Sequence, residues 1–142
     1  MEQRLFTYTF LEEYQQHIRP AIKEIDVFLR SSCEPICAKE AACVLDLDVA
    51  EVLGILTELG LGGNTMSRQV FLMVMERGSS PLCCIFGREM EIGSPPTYTA
   101  AQIAYIYGLE ETAVKKAFQK LRIKEVTLFV MPLVFAEIPY SI

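Results

Sequence analysis

Apolar positions along this chain recur mostly at helical spacing. Ile18, Ala21, Ile22, Ile25, Phe28 and Leu29 share one face of a 3.6-residue period, which predicts a helix over 14–30. Pro20 either kinks that helix or marks its true first turn. After a connector at 31–36, short helices are predicted over about 37–45 and 49–59, joined by a turn at Asp46-Leu47-Asp48 and stopped at Gly60. Between 66 and 77, Val70, Phe71, Met73 and Val74 fit a helix capped by Asn64 or Thr65. A short wing strand is the alternative, and the helix is preferred. Ser80-Pro81 reads as an N-cap followed by a first-turn proline, and Leu82, Ile85, Phe86 and Met90 carry that helix to Gly93. Ser94-Pro95-Pro96 breaks the chain before helices over about 100–107 and 110–121. Val126, Leu128 and Val130 alternate like a strand. Pro132 suits only a first turn, so a helix is expected from about residue 129.

The same pattern is written twice. Ala38, Ala42, Leu47, Val52, Leu59 and Thr65 return 62 positions later as Ala100, Ala104, Leu109, Val114, Leu121 and Thr127. Leu45/Tyr107, Leu56/Phe118 and Leu61/Ile123 stay apolar at the same offset. A fixed offset without insertion over some thirty residues predicts one structural unit built twice. The expected fold is all-α: two helix–(helix-turn-helix)–helix halves, 1–78 and 79–142, sharing one core.

Within the second copy, Ala104 is a small residue where two helices can cross, Gly108 the turn, Leu109 the corner pin, and Val114, Ala117 and Phe118 a packing face. Thr99 stands where an N-cap belongs. The first copy offers Ala42, Leu47, Val52, Ile55 and Leu56, with Asp46 in place of the glycine. Over about 24 residues per copy this resembles the helix-turn-helix superfamily. The resemblance implies a two-helix scaffold whose second helix, in many members, reads DNA. Fold and function separate freely, so the outward residues decide.

Those outward residues differ between the copies. In the second they are Glu110, Glu111, Thr112, Lys115, Lys116 and Gln119, followed by Lys120, Arg122 and Lys124. Thr112 and Gln119 are of a type that contacts base edges, and the cations of a type that neutralises phosphates. Glu110 and Glu111 oppose this at the helix start, although acids first and lysines last is also what a helix dipole favours. In the first copy the positions are Asp48, Val49, Ala50, Leu53, Gly54 and Thr57, without a cation. Val49, Ala50 and Leu53 there predict a contact surface for another helix or subunit.

Composition narrows the remaining classes. The 142 residues are 51% hydrophobic with a mean hydropathy of +0.28, which predicts a dense core and an apolar surface that meets another subunit. A net charge of −5 argues against a general nucleic-acid coat or a basic membrane binder, but not against a local basic face. The first ten residues lack the apolar run of a signal peptide. Leu128–Ala136 is interrupted by Pro132 and falls short of the ~18 residues of a membrane helix, so a cytoplasmic protein is expected.

Cys33, Cys37, Cys43, Cys83 and Cys84 are odd in number and form no CxxC pair, which predicts reduced thiols and no metal or other cofactor. His17 has no nucleophile in a suitable pattern, and Gly60-Leu61-Gly62-Gly63 follows a helix with no lysine partner, so no enzyme is expected. Two functions remain. One is a transcription-associated DNA-binding protein acting through Thr112, Lys115, Lys116, Gln119, Lys120, Arg122 and Lys124, as a dimer. The other is a protein-interaction or oligomerisation module contacting a protein partner through Val49, Ala50 and Leu53.

Overall fold

The computed structural model describes residues 8–140. They are mostly helical, with a single two-residue strand pair. The chain divides into two compact units: Pro20–Glu91, and the remainder on either side of it. This division differs from halves at 1–78 and 79–142, because the helix at Pro81–Ile92 falls almost wholly with the segment before it and the N-terminal segment falls with the C-terminal part.

In the Pro20–Glu91 unit, α2 (Arg19–Ser31) follows a π turn at Tyr14–Ile18, where the Arg19 amide reaches back to the Tyr14 carbonyl. Pro20 has no amide to continue the ordinary ladder and its ring crowds the carbonyl four residues back, so the turn widens just ahead of it. Strand β1 (Ile36–Cys37) pairs antiparallel with β2 (Thr65–Met66), bracketing α3 (Ala38–Leu45) and α4 (Val49–Glu58). Asp46 ends α3 in the left-handed region at φ 58°, letting the Leu47 amide reach Ala42 at 2.9 Å. Gly60, at φ 79°, plays that part after α4, with Leu61 bonded back to Leu56 at 2.9 Å.

Segment 66–77 is helical as preferred, but shifted. α5 (Arg68–Arg77) starts after Ser67, whose hydroxyl accepts from Val70, so neither Asn64 nor Thr65 is the cap. Thr65 is in the strand instead. Arg68 secures the start of α5 to the end of α2, donating from Nε to the Leu29 carbonyl at 3.0 Å and from Nη2 to the Ser32 carbonyl. A cation there meets the carbonyl-rich end of α2.

α6 (Pro81–Ile92) belongs with this unit, meeting α5 at Gly87 and α3 where the Cys83 thiol lies 3.9 Å from the Leu45 carbonyl. A Cβ at Gly87 would stand 2.9 Å from the Glu76 carbonyl, so the two backbones touch there. Cys83 is fully buried in the core with Leu45, Val52, Leu56, Phe71 and Val74.

The other unit joins the first and last described segments of the chain. α1 (Phe10–Glu13) opens with a capping box between Thr9 and Glu12, and the Phe10 amide donates to the Ile138 carbonyl at 2.8 Å. The Tyr140 amide returns the link to Tyr8 at 2.9 Å. Phe10, Tyr14 and Tyr107 surround Phe135 with ring centroids 4.8–5.1 Å away. α7 (Ala100–Tyr107) begins at the Thr99–Gln102 capping box, as Thr99 predicted, and stops at Gly108, φ 68°. α8 (Glu111–Leu121) stops at Arg122, φ 58°. Tyr98 and Val126 exchange two hydrogen bonds at 2.8 and 3.0 Å around this helix pair. The C-terminal helix is short: α9 (Met131–Phe135) follows a turn, with Pro132 in its first turn.

Candidate nucleic-acid interface

α8 buries Val114, Ala117 and Phe118 and turns the opposite face to solvent. On a 3.6-residue period, Thr112, Lys116 and Gln119 lie most directly opposite that buried stripe, and all three are exposed. Glu110 is the N-cap residue without a side-chain cap bond, and Glu111 sits in the first turn.

The cations of this region divide into two groups. Lys115 pairs with Glu111 one turn back at 2.9 Å, and Lys120 pairs with Glu137 beyond α9 at 2.7 Å. Lys116, Arg122 and Lys124 are exposed and form no ion pair among the described residues. Glu125, next to Lys124, accepts instead from the Thr97 hydroxyl at 2.7 Å. Residues 99–125 contain five cations against Glu110, Glu111 and Glu125, a local excess of two positive charges in an acidic chain. The two ion pairs are solvent-exposed on their lysine side and therefore weak, so phosphate can compete for them.

α4 presents a different surface. Val52, Ile55 and Leu56 are buried, while Val49 and Leu53 keep 40% and 37% of their surface exposed beside Ala50. The Thr57 hydroxyl folds back to the Leu53 carbonyl at 3.0 Å, and a Cβ at Gly54 would meet only open space. Residues 37–63 carry one lysine against Glu40, Asp46, Asp48, Glu51 and Glu58, a deficit of four charges. Glu51 is also occupied, accepting from the Ser79 amide and hydroxyl, both at 2.8 Å. Phosphate is repelled from this helix.

Two groups have shifted titration. Burial pushes the Cys83 thiol up, although a hydrogen bond from Ser80 opposes it. Burial and the hydrogen bond to Glu13 push the Tyr8 phenol up to about 12. Neither group belongs to the basic face. His17 is an exposed partner of Glu13 at 2.9 Å. All five cysteines are free, and no three metal-binding side chains gather among the described residues. No single helix among those residues is long and apolar enough to cross a membrane.

Sequence reasoning missed two features. One is the pairing of Lys120 with Glu137, which depends on where α9 lies. The other is an exposed apolar turn, in which Phe129 is 85% exposed beside Leu128. Its signal was the run Leu128-Phe129-Val130, which reads equally well as core. No protein family, curated protein or solved structure matches the chain.

Proposed function

We propose that this chain is a small cytoplasmic, transcription-associated DNA-binding protein in which one helix-turn-helix unit occurs twice and only the second copy reads DNA. The tandem reading is supported by hydrogen bonds that recur 62 residues apart. Leu47 to Ala42 corresponds to Leu109 to Ala104, Val52 to Asp48 corresponds to Val114 to Glu110, and Leu61 to Leu56 corresponds to Ile123 to Phe118. The left-handed stops correspond too, Asp46 with Gly108 and Gly60 with Arg122.

The observation that carries the DNA reading is the solvent face of α8. Thr112, Lys116 and Gln119 project from it, and Lys116, Arg122 and Lys124 form no ion pair among the described residues. A reading helix offers polar side chains to base edges while cations hold the phosphates. Three unpaired cations give little affinity alone, so the protein acts as a dimer on two half-sites. Fluorescence anisotropy with a mixed-sequence duplex tests this. Three phosphate contacts per protomer give a log–log salt slope of about −2.7, doubled in a dimer. Absence of binding at low salt overturns the proposal.

A second reading rests on α4. Val49, Ala50 and Leu53 form an apolar face without a cation, suited to a protein partner or a second copy. Val49→Asp with Leu53→Asp should then dissociate a complex seen by light scattering while leaving the helical circular dichroism intact.

A further inference from the structure

The turn leading into α9 is an apolar knob. Phe129 is 85% exposed, Leu128 58% and Leu133 59%, and Val130 and Pro132 between them are exposed as well. The turn is fixed by its own backbone, since the Val130 and Met131 amides donate to the Thr127 carbonyl at 3.1 and 3.0 Å. Met131, Val134 and Phe135 anchor it in the core of their unit. Folding does not require apolar side chains at the tip. α5 starts in the same way, with the Phe71 amide on the Ser67 carbonyl at 2.9 Å. It buries Phe71, Val74 and Met75 where α9 buries Met131, Val134 and Phe135. Directly after Ser67 and Thr127, however, α5 has Arg68 and Gln69 while α9 has Leu128 and Phe129, all four exposed.

The same chain carries a hollow of matching character. In the Pro20–Glu91 unit, α2 and α3 flank an open groove of about 380 Å³, lined by Val27, Phe28, Cys43 and Val44 with Glu24 and Glu40. Its exposed lining is almost wholly apolar. Phe28 is braced by the fully buried Phe71, with ring centroids 5.6 Å apart. Pockets of roughly 300–1,000 Å³ enclose whole small molecules, so a phenyl ring with a neighbouring leucine fits this one.

We propose that this groove receives the Phe129 knob of a second copy of the chain. Shape selects that occupant first: a protruding ring needs a hollow, and two knobs set tip to tip would leave both rings largely in water. Polarity agrees. Residues 126–136 contain no charged side chain, so seating the knob buries no charge, as the core of an interface requires. Net charge points the same way. The Pro20–Glu91 unit has six Lys and Arg against eleven Asp and Glu and so holds the whole net charge of −5, whereas the other unit has seven of each. Arg122 and Lys124, shortly before the knob, form no ion pair among the described residues. Knob-to-groove contact therefore brings a basic flank to an acidic unit, while groove-to-groove contact would oppose like charges. Two copies that seat each other's knobs form a closed dimer. The contact does not rest on the DNA reading, and it supplies the dimer which that reading calls for.

Light scattering on the full chain, without DNA, should give a mass that rises above the monomer's with concentration. Phe129→Ser removes the knob and Val27→Glu obstructs the groove, both at exposed positions, and circular dichroism checks that each variant folds. Each should weaken self-association about tenfold or more. Mixed together, the two variants should associate again, because one keeps a groove and the other a knob. Cys43 supplies a readout within the wild-type protein. Its alkylation by iodoacetamide, mapped by mass spectrometry, should slow as protein concentration rises, while exposed Cys33, outside the groove, reacts at a constant rate. A mass fixed at the monomer's, a mixture that associates no better than either variant alone, or a Cys43 rate independent of concentration overturns the proposal.

Discussion

The hydroxyl of Ser80 donates to the carbonyl of Leu45 at 2.8 Å, joining the start of α6 to the end of α3 across 35 residues of chain. The same oxygen accepts from the Cys83 amide at 3.4 Å, as an N-cap does. Leu45 needs this partner because Asp46 leaves the helix immediately after it, and last-turn carbonyls have no helical donor. Ser80 is the one buried polar side chain among the described residues. Ser80→Ala removes both bonds and leaves the carbonyl only the weak Cys83 thiol donor at 3.9 Å, so stability should fall by about 1–3 kcal/mol in urea denaturation. An unchanged midpoint would show that the tie contributes nothing net.

Gly108 and Asp46 test the left-handed stops. Gly108→Ala forces a Cβ into φ 68° and should cost about 1 kcal/mol or more. Asp46→Gly relieves a side chain at φ 58° and should cost little, because the relief offsets the added freedom of the unfolded chain. Thermal melts of both variants compare the two directly.

The cysteines should react in order of exposure. At pH 8, Cys33 and Cys43 are open to a disulfide reagent, whereas Cys83 is buried and its thiol is pushed up by that burial. Cys83 should be modified only when denaturant is added. Its prompt reaction in the folded protein would contradict the packing of α6.

Tyr8 should make stability fall in strong alkali. Its folded phenol is raised from the ordinary 10 to about 12, so the folded state favours the neutral form. That contribution is complete below pH 10 and is lost as pH rises through about 12. Absorbance titration at 295 nm should show a late ionisation that disappears in Tyr8→Phe.

Among the cations, Lys116 should matter more for DNA than Lys115. Lys115 must leave Glu111 to reach a phosphate, while Lys116 has no ion pair to break among the described residues. Lys116→Gln should reduce the salt slope by about 0.9 per protomer, and Lys115→Gln by less. Equal effects would place both lysines at the periphery of the interface.

The sequence by itself determined the local architecture. Thr99 with Gln102, the glycines at 60 and 108, and the apolar period of α7 and α8 act through bonds within a few residues, so neighbouring positions contain all the information they need. α4 and α8 were also separable in advance by their outward residues, because periodicity alone assigns faces. Near Thr65 and Ser67 the reading slipped, since a strand pairing with Ile36–Cys37 captured the residue that would otherwise have capped a helix. Only the tertiary structure decided that α6 packs with the preceding helices while Phe10 and Tyr140 pack with Tyr107 and Phe135. It alone paired Lys120 with Glu137 and tied Ser80 to Leu45. These relationships join residues distant in sequence, and the charge or apolar character of each side chain fits many partners until packing selects one.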